Sequence, residues 1–228
     1  MKRSVLLLTA VLGFWTATVK AAIVTTSPGL PPVTTASGQP VGYLSPQDVH
    51  AIYSGPGLAV VLSQIVHSGF TNIQVQTVGA NETENFDSAL SGGVSLNGSP
   101  VLPFLLTGPV QVEAFGKAGQ TTGTFNTQML SMDMTGAVGG HSVEVKTDPA
   151  NPTTGQTTIT DIGGGNFRIT SFFDVFTELS IDGGPFIPQS NGPTTVTATA
   201  LPEPASMAVW AGLIAIGLAA CRWRRKKQ

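Results

Sequence analysis

Between residues 22 and 203 the chain has no cysteine, no tryptophan and only three cations, Lys117, Lys146 and Arg168. Each absence excludes something. The single cysteine, Cys221, lies near the C-terminus, so the body forms no disulfide and offers neither a thiol nucleophile nor a thiolate metal ligand. Its stability has to come from an apolar core, which a body of about 150 residues is large enough to bury as one domain. The three tryptophans, Trp15, Trp210 and Trp223, all sit near the ends, and only Tyr43 and Tyr53 remain in the body. The aromatic platforms usual on sugar-binding faces are therefore missing. The three cations face thirteen carboxylates, Glu203 included, for a net charge of about −10. A surface so acidic argues against nucleic acid or anionic lipid as a ligand.

Catalytic patterns are absent too. There is no Gly-x-Ser-x-Gly, His-Glu-x-x-His or Ser-x-x-Lys, the spacings that set a nucleophile or a zinc site. His50, His67 and His141 are scattered, and Glu82 and Glu84 stand in a polar, Asn-rich stretch that reads as a solvated face. The body is expected to be neither an enzyme nor a cofactor carrier. Asp148, Asp161 and Asp182 lie in turn-like segments with oxygen-bearing neighbours and are the calcium candidates. Asn81-Glu82-Thr83 and Asn97-Gly98-Ser99 match the glycan acceptor pattern.

What is present is concentrated at the ends. Lys2 and Arg3 precede an apolar stretch, Ser4–Val19, and Val19-Lys20-Ala21 ends it with modest residues. This is a signal-peptide pattern over residues 1–21, with cleavage expected between Ala21 and Ala22 by signal peptidase. At the other end, Pro202-Glu203-Pro204 precedes an apolar run from Ala205 to Cys221 and a basic tip of Arg222, Arg224, Arg225, Lys226 and Lys227. As a helix the run spans roughly 25 Å at 1.5 Å per residue, the short end of a membrane crossing. The basic tip is expected to stay cytoplasmic while the body is exported.

The body between them reads as strands. Leu58–Val66 is rich in β-branched residues, and Asn72–Val78 alternates Ile73, Val75 and Thr77 against polar neighbours. Asn97-Gly98 is a hairpin dipeptide. In Thr124–Met134 the apolar phase changes, which predicts a bulge near Met129. Phe167–Asp182 keeps a period of two throughout and is long enough to require a bend, expected near Ser171, or a passage between sheets. Residues 22–48 and 191–200 are Thr/Pro-rich and read as linkers. The expectation is all-β: a single β-sandwich of Ig-like or jelly-roll type over residues 49–190, with a partly open barrel as the alternative.

The tripartite end, Pro202-Glu203-Pro204 with the apolar run and the Arg/Lys tip, resembles the PEP-CTERM sorting signal of bacterial exported proteins. The resemblance covers residues 201–228. It implies that the chain is a substrate of exosortase, a membrane-embedded, transpeptidase-like enzyme with a cysteine nucleophile that cuts near the motif. It also implies association with exopolysaccharide and biofilm production. The function expected is an envelope or extracellular-matrix structural or interaction protein, passing through the inner membrane. The alternatives are an exopolysaccharide-binding module and a permanently anchored single-pass protein.

Overall fold

The computed structural model describes residues 22–202. The expected signal peptide over 1–21, the expected helix over 205–221 and the basic tip lie outside the described residues, as do Glu203 and Pro204.

Thirteen strands follow one another: β1 Ile23–Thr25, β2 Val41–Leu44, β3 His50–Gly55, β4 Leu58–Val78, β5 Asn81–Leu96, β6 Leu102–Ala114, β7 Gly123–Val138, β8 His141–Thr147, β9 Thr153–Gly163, β10 Asn166–Val175, β11 Thr177–Ile181, β12 Ile187–Pro188 and β13 Thr194–Ala200. No helix occurs among the described residues. The all-β expectation holds, but the two-sheet sandwich does not. One antiparallel sheet closes on itself in the order β10-β13-β2-β4-β5-β6-β7-β9 and back to β10, an eight-stranded barrel. Closure pairs, around this ring, most of the strand edges that a sandwich leaves open.

The long strands β4 to β7 run past this ring and carry a second tier. There β3 lies on β4, β8 on β7, β11 on β8 and β12 on β11. A bridge from Tyr53 to Gln189, with Ser190 N–H donating to the Ile52 carbonyl at 2.7 Å, brings the tier round to β3. Most pairings are between neighbours in sequence, so hairpin turns build the wall. Asn97 and Gly98, with φ of 51° and 73°, form a turn whose Ser99 N–H donates to the Leu96 carbonyl. Positive φ at both central positions matches the right-handed twist of the flanking strands.

Period-two patterning sets which side chains point inward. Along β7, Phe125, Thr127 and Met129 are buried, then Met132 and Met134. Gln111 pairs with Ser131 and Val112 with Met129, so Leu130 is the extra residue of a bulge and faces out. The predicted phase change near Met129 is this bulge. The period-two run after Gly165 is present as β10 and β11, broken at Phe176 rather than near Ser171. It stays in one closed sheet and changes partner from β9 to β8 at the break. Most inward residues are apolar and most outward ones polar, with Thr, Ser, Asn and Gln the commonest of these, the reverse of a barrel whose outer wall meets lipid.

Both linker expectations are corrected. Residues 22–48 hold β1 and β2, and bury Ile23, Leu30, Val41 and Tyr43. Within 191–200, β13 is a wall strand between β10 and β2. The reason lies in its sequence: Thr194, Val196 and Ala198 point inward and the intervening threonines outward. Threonine-rich composition suits a strand as well as a linker. The barrel therefore extends beyond 49–190 at both ends.

Candidate functional site

The chain enters and leaves the barrel at the same end. There β2 begins, β13 finishes, and the hairpins β4–β5 and β9–β10 turn. Ala200 pairs with Val41, and Leu201 N–H donates to the Pro40 carbonyl at 2.8 Å. Pro202 follows and is exposed. Of the predicted processing motif, Pro202 thus stands two residues past the last wall strand. At the other predicted processing point, Ala22 is exposed and Ile23 is buried, paired with Ile169.

The interior of this end carries several polar groups among its apolar side chains. Glu84, on β5, is 1% exposed, and its Oε1 has no hydrogen-bond partner. Burial pushes its carboxyl up to about 8, with Lys117 opposing the rise and Glu82 adding to it. Glu84 is thus largely protonated at neutral pH. Lys117, from the β6–β7 loop, is itself buried and ion-pairs with Glu82. Thr127 Oγ1 is also buried without a partner. Glu84 and Thr127 line one cavity of about 20 Å³, together with Tyr43, His67 and Thr157. The rest of its lining is mostly apolar, including Leu30, Phe70, Phe86 and Phe173, and the space has room for about one water molecule.

Around it, Tyr43 Oη donates to Ser171 Oγ at 3.0 Å, and Ser171 pairs with Thr157 at 2.7 Å. His67 Nε2 meets Ser88 Oγ at 2.7 Å, and burial drops the imidazole to about 4, so it is neutral. The sequence reading of Glu82 and Glu84 as a solvated face is overturned for Glu84. It lies in phase with Phe86, Ser88 and Leu90 on the inward side of β5. That phase is the signal by which the sequence could show it.

The other interior spaces are small. One of about 40 Å³ lies among Tyr53, Leu62, Met132 and Val145, and one of about 10 Å³ closes the far end among Leu96, Phe104 and Leu179. The barrel is a filled core rather than a ligand calyx. The roomier concavities are on the surface. One, of about 310 Å³, crosses the outer wall of β4 to β7. Gln74, Asn85, Gln111 and Ser131 stand side by side there in one cross-strand row. Gln111 donates to Asn85 at 2.8 Å, and Asn72, at positive φ on a bulge of β4, donates to Asp87 at 2.6 Å. Such a row of amides, a carboxylate and a hydroxyl suits hydroxyl groups of a neutral ligand.

The calcium candidates are not brought together. Asp161 caps the β9–β10 turn at the terminal end, accepting from Gly163 N–H at 2.8 Å. Asp182 lies at the opposite end, bonded to His141 Nδ1 and Ser142 N–H, which hold its carboxyl below its ordinary value. Asp148 organises the β8–β9 break through Ala150 and Asn151. No metal-ligating group of three forms among the described residues. His50, His67 and His141 are likewise apart. Asn81 and Asn97 of the acceptor matches use their amides on Glu113 and Ala59. Tyr43 and Tyr53 are core residues, 5% and 0% exposed, and form no sugar platform.

No family model matches the chain, and no match was found among curated proteins or solved structures.

Proposed function

We propose that the chain is an exported bacterial envelope or extracellular-matrix protein, sorted and processed by exosortase through Pro202-Glu203-Pro204. The observation that carries this reading is where the last described wall strand ends. The wall ends at Ala200, and Leu201 completes the last hydrogen bond before the motif. A cut at or after Pro202 leaves the barrel whole. A cut a few residues earlier removes part of a seam strand. The polar outer wall and disulfide-free core suit a domain that stands free in water after release. The described part carries three cations against twelve carboxylates, so nucleic acid is not proposed as a partner. Signal peptidase, exosortase and the inner membrane are the partners of the route.

Expression with and without exosortase tests this. A Glu203→Ala chain is expected to accumulate at full length in the membrane, as wild-type does without the enzyme. Equal release of both forms in both hosts overturns the reading in favour of a permanent anchor or an unrelated protease.

A second reading, binding of matrix exopolysaccharide by the barrel, is favoured by the amide-lined groove on β4 to β7. Retention on immobilised exopolysaccharide that is lost in Asn85→Ala/Gln111→Ala supports it, and retention unchanged by that pair removes it.

A further inference from the structure

Along one stretch of β4 the strand has an edge that is unpaired among the described residues. β2 covers β4 only at Val66, His67 and Ser68, and β3 covers it from Leu58 to Ser63. From Thr71 to Val78, β4 pairs with β5 on one side and, among the described residues, with nothing on the other. Every residue of this stretch is exposed except Ile73, which is half-buried; Val75 and Val78 are 53% and 60% exposed.

Natural sheets protect such an edge with lysine, proline or a short strand. This one has none of these. Thr-Asn-Ile-Gln-Val-Gln-Thr-Val contains no charge and no proline, and no Asp, Glu, Lys or Arg occurs anywhere in β4. Two bulges lie between Ser68 and Gln74, but Gln74 to Val78 pairs regularly with β5, so the backbone there is straight enough to accept a further strand.

We propose that this edge is a self-association surface, taking the β4 edge of a second copy antiparallel about Val75. Two features select a second copy. The first is self-complementarity: centring on Val75 sets valine on valine, Gln74 opposite Gln76, and Ile73 opposite Thr77, each on its matching face. The second is charge. The described chain is strongly acidic, so two copies repel over most of their surface, and β4 is a wall strand on which they meet without carboxylates. Because Val75 stands opposite Glu84 on β5, the added strand continues the inner side of the sheet and covers the exposed valine. The pair is isologous and closes at two.

The test uses the full chain in detergent, in a Cys221→Ser background that removes the natural thiol. Sedimentation is expected to show a concentration-dependent dimer that Val75→Lys converts to monomer, its circular dichroism unchanged. Val75→Cys is expected to form a disulfide-linked dimer on mild oxidation, while Ser131→Cys on the outer wall does not. A wild-type chain that stays monomeric at its solubility limit overturns the proposal and leaves the edge to a different partner. So does a dimer indifferent to Val75→Lys, which places the contact elsewhere, and so do open-ended higher polymers.

Discussion

Leu201 N–H donates to the carbonyl of Pro40 at 2.8 Å, tying the last residue before the proposed sorting motif to the residue that leads into β2. This bond follows the β13–β2 seam, the pairing that joins the last wall strand to the first. The N-terminal and C-terminal segments therefore hold one another, and the fold is complete only when the chain has reached Ala200.

A chain ending after Pro202 is thus expected to keep the thermal stability of the longer protein. One ending after Pro193 lacks β13, opens the ring between β10 and β2, and exposes Val41, Phe173 and Val175. It is expected to be insoluble or to lose cooperative unfolding. Calorimetry of the two truncations decides, and a cooperative transition in the shorter one contradicts the seam.

Stability should depend on pH through two buried groups of opposite sign. Glu84 has its folded value raised to about 8 from 4.5, so the folded state holds the extra proton and stability falls as pH rises through that window. His67 is lowered to about 4 from 6.5, so its contribution grows with pH up to 6.5. Each slope is about 1.4 kcal/mol per pH unit. They offset one another between pH 4.5 and 6.5, and the Glu84 slope alone remains above that. Urea titrations are expected to show a plateau and then a loss of roughly 2 kcal/mol between pH 6.5 and 8. Glu84→Gln removes the alkaline loss and leaves the acid limb. An alkaline decline that persists in Glu84→Gln shows that another group causes it.

Lys117 is a buried cation whose ion-pair partner is Glu82. Lys117→Met leaves Glu82 with 15% side-chain exposure and no counter-ion, and takes away a charge that favours ionised Glu84. Breaking a buried pair from one side costs about 3 kcal/mol. The double variant Lys117→Met/Glu82→Gln should recover much of that loss. A double variant no more stable than the single one places the effect in packing of the lysine stem.

Two strands of the wall approach too closely for a side chain. A methyl built on Gly108 of β6 would lie 1.8 Å from the Asp133 carbonyl oxygen of β7. Backbone on both sides cannot yield as a flexible side chain does. Gly108→Ala is expected to cost about 3 kcal/mol or more in chemical denaturation. A change under about 0.5 kcal/mol, the range of ordinary surface substitutions, would show that the strands part easily there.

Much of the wall is legible in the sequence because period two is a local property. The hairpin at Asn97-Gly98, the bulge at Leu130 and the strands after Gly165 each follow from residues within a few positions. Closure is not legible, because it depends on β13 finding β2 across most of the chain. The same Thr/Pro composition that suggests linkers hides the alternation of Val196 and Ala198. Glu84 is legible only by phase: a carboxylate reads as solvated until its neighbours Phe86 and Ser88 are seen to share its side. The Pro202-Glu203-Pro204 motif is a reading of sequence alone, and the structure adds only that Pro202 follows the last wall strand at the rim.

The central claim is that the barrel is released intact at the motif that follows it. Intact-mass measurement of the protein recovered outside a host carrying exosortase tests this most directly. The account predicts a chain that begins at Ala22 and ends within the Pro202-Glu203-Pro204 region. A mature chain that still carries Trp223, or one that ends before Ala200, would contradict it.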